Sequence, residues 1–168
     1  MAYKPGAPRT FKGTIYYGPD QSSTSLEFWR LFSDGIAEWK VNDDVTIAGE
    51  CQVGTREMAD QPGNPRVLYT GSALPMRWHI SGPWSVALRP EVYGDQNGLM
   101  TGNKQLIRAV ATTTEYKLPY KWADMLLRLE YRCDESTGSG GGFLKDGQVL
   151  PGVPGLTAAQ HMLIFSAI

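Results

Sequence analysis

Apolar and polar residues alternate with a period of two along much of the chain. In Val45–Arg56, the residues Val45, Ile47, Gly49, Cys51 and Val53 are apolar or small, while Thr46, Glu50, Gln52 and Arg56 are polar. Met125–Asp134 sets Met125, Leu127, Leu129, Tyr131 and Cys133 against Arg128, Glu130, Arg132 and Asp134, and Trp84–Asp95 sets Trp84, Val86, Leu88, Pro90 and Val92 against Ser85, Arg89, Glu91 and Asp95. Such a rhythm places one face of a strand against an apolar medium and the other against water. Trp29–Val41 has Trp29, Leu31, Ala37 and Trp39 on one row and Arg30, Asp34, Glu38 and Lys40 on the other, joined by Phe32 and Ile36. Leu106–Leu118 has both rows fairly apolar, and Arg108 falls on the greasier one. Phe11–Tyr17, Leu68–Ile80 and His161–Ile168 complete eight predicted strands. Pro75 and Pro90 cannot donate to a ladder, which predicts bulge or edge positions for both.

The connections alternate in length. Asn42–Asp44, Ser81–Pro83 and Pro119–Lys121 have the composition of tight turns. Gly18–Ser25, Glu57–Arg66, Asp95–Asn103 and the glycine-rich Glu135–Ala159 are long and polar. An aromatic residue followed by a basic one precedes each short turn, at Tyr3-Lys4, Trp39-Lys40, Trp78-His79 and Tyr116-Lys117, with spacings of 36, 39 and 38 residues. That period fits one hairpin plus its long loop. The predicted fold is all-β: an antiparallel up-and-down meander of about eight long strands, forming a transmembrane β-barrel or a section of a larger one.

Composition narrows the class. Of the 168 residues 42% are hydrophobic and 20% charged, with a net charge of −1. This is too apolar for a disordered chain and lacks the basic excess of a nucleic-acid binder. No apolar run reaches the roughly 18 residues of a membrane helix, but a barrel strand crosses with about 9–11. Cys51 and Cys133 stand 82 residues apart and are expected to be free thiols. No export signal is visible at Met1–Gly6, and the chain stops on the apolar Met162–Ile168. The expectation is one β-barrel region over residues 1–168, a fragment lacking N-terminal strands and the last few C-terminal residues.

Alternation alone does not say which row faces out. A soluble all-β binding module, either a lipocalin-like barrel with a small-molecule cavity or a sandwich, would gather Leu127, Leu129, Val86 and Ile47 in a dry centre. A membrane barrel turns them to lipid and wears aromatic girdles at strand ends. Trp29, Trp39, Trp78, Trp84, Tyr116 and Trp122 are the candidates for that interface. Trp29 and Trp39, ten residues apart on one row, would be separated by roughly 23 Å along the membrane normal, near the apolar band height of about 25 Å. With short turns on one side and long loops on the other, the membrane barrel is the preferred fold.

The charged row is then the functional candidate: Arg30, Asp34, Glu38 and Glu50 in the first half, and Arg89, Glu91, Arg128, Glu130 and Arg132 in the second. Facing a lumen, such residues bias which ions pass. Mixed signs predict weak overall selectivity with a transverse field. Eight strands enclose little more than side chains, whereas water-filled bores need about 16–18. In a membrane barrel Leu127→Arg is expected to cost roughly 2–4 kcal/mol, because its charge would meet lipid at the mid-plane.

Other motifs carry less. Gly138-Ser-Gly-Gly-Gly142 is no P-loop, since no Gly-Lys-Ser/Thr follows. The loop Glu135–Ala159 is expected to extend outside the lumen rather than constrict it. Asp95-Gln-Asn-Gly98 opens like a calcium loop without the later ligands, which predicts a turn. His79 and His161 have no metal-spaced partners, and His79 stands in the aromatic-basic slot where an interface role is expected. No catalytic motif is present, so no enzyme activity, cofactor or metal is expected.

One segment carries a resemblance. Thr114-Glu-Tyr-Lys-Leu-Pro-Tyr-Lys-Trp-Ala-Asp-Met-Leu-Leu-Arg-Leu-Glu-Tyr-Arg-Cys-Asp-Glu-Ser136, followed after a glycine-rich loop by Gln160-His-Met-Leu-Ile-Phe-Ser166, resembles the C-terminal part of the OmpL-like family of β-barrel porins. The likeness covers about residues 100–168, and the earlier hairpins only in style. It implies residence among the lipids of the bacterial outer membrane and passive passage of small hydrophilic solutes or ions, with no catalytic residues to carry over.

Overall fold

The computed structural model describes residues 2–3, 9–19, 29–57, 65–119, 124–150 and 153–168. The strands are β1 (Ala2–Tyr3), β2 (Arg9–Pro19), β3 (Trp29–Lys40), β4 (Val45–Glu57), β5 (Arg66–Ala73), β6 (Met76–Ser81), β7 (Trp84–Asp95), β8 (Gln105–Pro119), β9 (Asp124–Ser136), β10 (Phe143–Leu150), β11 (Val153–Thr157) and β12 (Ala159–Ala167). They form one antiparallel sheet in the order β1-β2-β3-β4-β5-β7-β8-β9-β12, with β6 also between β4 and β7, and a separate β10–β11 hairpin. Because β5 and β6 share one lane, the long strands are eight, as the alternation predicts. The edges are the β1–β2 side and β12, and no pairing joins them among the described residues.

Short connections fix the register. The Asn42 side-chain oxygen accepts the backbone N–H groups of Asp44 (2.9 Å) and Val45 (2.8 Å), a local turn that sets Trp39 against Ile47. Gly82, at φ 54°, makes the turn between β6 and β7. The predicted turn at Pro119–Lys121 falls largely outside the described residues.

Both prolines sit differently from expectation. The β5–β6 lane lies between β4 and β7, and its register against both is the same on either side of the interruption at Leu74–Pro75. Pro75 and Pro90 are therefore interior positions, neither edges nor inserted bulge residues. Pro75 O accepts Ala48 N at 2.8 Å and Pro90 O accepts Leu74 N at 3.0 Å. Each proline keeps its acceptor in the ladder and omits only the return bond, which is how the sheet tolerates them. A second difference is β10–β11, expected to be loop. The preceding glycines carry no alternation, but the Pro151-Gly152 dipeptide is a turn signal that could have revealed the hairpin.

The two faces differ sharply. The described hydrophobic residues that are buried, Val67, Tyr69, Ala109 and Ala111, share one face with the buried polar residues Ser85, Asp95, Gln105, Glu115 and Asp134. This is the inner face. The opposite, outer face exposes Ile15 (76%), Trp78 (56%), Leu129 (49%), Leu163 (72%) and Phe165 (70%). On the inner face the Tyr69 ring lies over Gly54 of the neighbouring strand, where an added Cβ would overlap it. Gly54→Ala should therefore destabilise by about 1–3 kcal/mol by overpacking. A urea titration followed by tryptophan fluorescence would measure this, and an unchanged midpoint would show that Tyr69 swings away freely.

Candidate functional site

Register brings the charged row of β6–β9 together as a lattice of two ion-pair groups. Glu115, with its side chain only 6% exposed, accepts Arg77 Nε on one oxygen and Arg128 Nε on the other, both at 2.8 Å. Arg77 also donates to Ser85 Oγ at 3.0 Å. Nearer the long loops, Arg132 reaches Glu91 at 2.7 Å and Asp134 at 2.8 Å, and Gln160 Nε2 donates to Asp134 at 2.8 Å. Arg89 contacts Glu91 and lies 3.8 Å from Glu130, which accepts Thr113 Oγ1 at 2.9 Å. Four arginines face four carboxylates, so the lattice is electrically balanced. The small Ala109 and Ala111 of β8 lie beneath it, opposite Asp134 and Arg132.

Of the predicted charged residues, Arg89, Glu91, Arg128, Glu130 and Arg132 are brought together here. Glu115, Asp134 and Arg77, which complete the ion pairs, and Tyr69, which accepts from Arg30, were not among the candidates. Arg30 belongs to a different cluster: its guanidinium donates to the Tyr69 hydroxyl at 2.9 and 2.6 Å and lies over the Phe32 and Tyr69 rings. Asp34, Glu38 and Glu50 share the inner face on β3 and β4 but stand outside the lattice.

The aromatic candidates lie on the outer face. Trp39, Trp78, Trp84 and Tyr116 sit at the short-turn ends of their strands, with the Trp84 and Tyr116 rings edge-on at 4.6 Å. At the long-loop end Trp29 stacks beside Tyr17 at 5.0 Å. Trp122 falls outside the described residues. Leu127 and Leu129 line one open groove of about 590 Å³ with Trp84, Tyr116 and Phe165, and Ile47 and Val86 line another of about 400 Å³. Neither groove is a dry centre. Arg108 is on this outer face as predicted, opposite Glu135 and Val92 near the long-loop end.

The histidines separate. His79 turns to the inner face beside Ser85, with Nδ1 3.5 Å from Oγ, rather than sharing the outer row with Trp78. His161 is on the outer face, where its Nδ1 pairs with the Tyr131 hydroxyl at 2.8 Å.

Asp95 closes β7 beyond the roughly 9–11 residues a barrel strand needs to cross a membrane from Trp84. Its carboxylate accepts Leu99 N, Met100 N, Thr101 N and Thr101 Oγ1 at 2.8–3.0 Å, making the turn that the sequence predicts there. Burial alone would raise its pKa, but these hydrogen bonds outweigh burial and hold it below the ordinary aspartate value. A lowered folded-state pKa means that the stabilisation is full above about pH 4 and is lost as pH falls through the folded value. Protection of the amides at 99–101, taken relative to the intrinsic exchange rate at each pH, should fall below about pH 4 in the native chain, and Asp95→Asn should remove that step. A native profile without the step would contradict this account of the turn.

An antiparallel meander with an ionic inner face and an exposed apolar outer one has the build of a transmembrane β-sheet protein. The chain belongs to the family described as Putative beta-barrel porin-2, OmpL-like, whose model matches residues 1–168. The match extends the resemblance from about residues 100–168 to the whole chain. No curated protein and no solved structure matches it. Family membership implies a non-enzymatic barrel, residence in the outer membrane and passage of solutes.

Proposed function

We propose that this chain forms the wall of an outer-membrane channel through which small hydrophilic solutes or ions pass passively, with the inner face lining the aqueous bore. The observation that carries this reading is the inverted burial: Asp95, Glu115, Asp134, Ser85 and Gln105 are among the most enclosed side chains described, while the large apolar residues of the outer row are exposed. In water, that outer surface would leave an apolar area far beyond what monomeric soluble proteins tolerate. In a bilayer it replaces nothing costly, and Trp39, Trp78, Trp84 and Tyr116 form the interfacial girdle at the short-turn end.

The sheet is a section of a larger barrel. Unpaired edge groups are excluded from hydrocarbon, so the β1–β2 side and β12 each need a pairing partner that the described residues do not supply. Eight strands closed on themselves would also crowd the inner face, where the Arg77 side chain is 51% exposed.

The balanced lattice on β6–β9 supports a division of labour. Paired arginines and carboxylates stiffen the wall, while the inner charges outside the lattice bias ion passage. Planar-bilayer recording of the protein purified from outer membranes tests this. The expected result is stepwise ionic current whose cation-to-anion ratio shifts with Asp34→Asn more than with Glu130→Gln. Absence of current, or the reverse order, would contradict it.

A further inference from the structure

A small recess on the inner face borders the lattice, sharing Glu91 with it, and is separate from the outer grooves. It measures about 190 Å³ and is lined by Glu50 and Gln52 of β4, Gly71 and Ala73 of β5, and Glu91 and Tyr93 of β7. Its origin lies in side-chain size. Register aligns Glu50 with Ala73 and Ala73 with Glu91, and likewise Gln52 with Gly71 and Gly71 with Tyr93. Two long side chains on each flanking strand thus enclose a floor that has almost none. Gln52 leans over Gly71 so closely that a Cβ there would meet its Cγ at 2.8 Å.

The walls are chemically distinct. Both Glu91 oxygens are already held, one by Arg89 and the other by Arg132. Glu50 takes part in no ion pair among the described residues and carries the uncompensated charge of the recess. Gln52 adds an amide oxygen, and Tyr93 a ring and a hydroxyl. A carboxylate, a carbonyl-type acceptor and an aromatic face suit a cation that also donates hydrogen bonds. At about 30 Å³ per water, the volume accommodates a molecule of only a few heavy atoms.

We propose that this recess is a subsite for small organic cations bearing N–H donors, of the alkylguanidinium or alkylammonium class, with Glu50 as the charge partner and Gln52 as the orienting acceptor. The assignment rests on the inner face being the aqueous wall of the bore, and it names one class of solute that this wall retains.

The test is saturation-transfer NMR on the full chain in detergent micelles, with methylguanidinium as the probe and N-methylurea as its neutral isostere. Transfer to methylguanidinium and none to N-methylurea is expected, with affinity reduced at least about tenfold by Glu50→Gln and unchanged by Glu130→Gln, which lies outside the recess. Gly71→Ala, which displaces Gln52 without touching any charge, should weaken binding as well. Equal transfer to both probes, or binding indifferent to both Glu50→Gln and Gly71→Ala, would overturn the subsite. The bore itself fails separately: a chain that binds methylguanidinium as described but conducts no ions in planar bilayers keeps the subsite and loses the channel.

Discussion

Leu88→Arg should destabilise the bilayer-inserted protein by about 2–4 kcal/mol, the depth-dependent cost of an arginine on a barrel's lipid face near the mid-plane. Leu88 is on the outer row of β7, four residues beyond Trp84, and pairs with Thr112. At about 3.3 Å per residue and a tilt near 45°, that is roughly 9 Å above the level of Trp84, about three-quarters of the way to the middle of an apolar band roughly 25 Å tall. Leu127 makes the internal control. The alternation alone allows it to lie at the mid-plane, but the register sets it directly against Tyr116. Leu127→Arg should then cost only about 0–1 kcal/mol, because the guanidinium reaches the interface. Reversible urea unfolding from lipid vesicles, followed by tryptophan fluorescence, separates the two. If water covered the outer face, Leu88, 39% exposed, would tolerate arginine within about 0.5 kcal/mol, and the two variants would not differ.

The second large effect is on the inner face. Asp134 has a side chain 3% exposed and holds both Arg132 and Gln160. Removing one partner of a buried pair costs about 3–5 kcal/mol when the other is stranded. Here Arg132 keeps Glu91 and is itself 21% exposed, so Asp134→Ala should cost about 2–3 kcal/mol. Asp34→Ala, on the same face but outside the lattice, should stay within about 0.5 kcal/mol. The same vesicle titration measures both, and equal effects would mean that the lattice adds no stability.

These assignments show what the sequence makes legible. The eight long strands follow from period-two alternation because each is half-covered, and their limits follow from the turn chemistry at Asn42–Asp44 and Ser81–Pro83. The division into an apolar and a polar row was also readable, down to Arg108 on the apolar side. Once a short turn is fixed, directly opposed residues can be deduced, and Trp39 against Ile47 across Asn42–Asp44 is one such pair. Contacts that skip a strand were not readable. Arg77 with Glu115, Arg132 with Glu91 and Arg30 with Tyr69 depend on how the sheet bends, which no one-dimensional pattern encodes. For the same reason Asp34, Glu38 and Glu50 looked equivalent to Arg89 and Glu130, although only the latter two are in the lattice. The interior prolines were misjudged because one missing N–H was weighed as a broken strand, whereas the carbonyls of Pro75 and Pro90 remain in the ladder.

The protein carries its own probes for which face meets lipid. Cys51 and Cys133 are free thiols on the outer row, and Cys51 is exposed. Each stands six residues along its lane from a register partner of the girdle or from the girdle itself, Cys51 beyond Val45, which pairs with Trp78, and Cys133 level with Val110, six before Tyr116. The decisive measurement is modification of the folded, vesicle-embedded protein by a charged, membrane-impermeant maleimide. Both native thiols should stay unmodified until the protein is unfolded, while Asp34→Cys in a variant with serine at 51 and 133 should react through the aqueous bore. Rapid labelling of Cys51 in the folded, embedded protein, with Asp34→Cys protected, would place water on the apolar side and contradict the account.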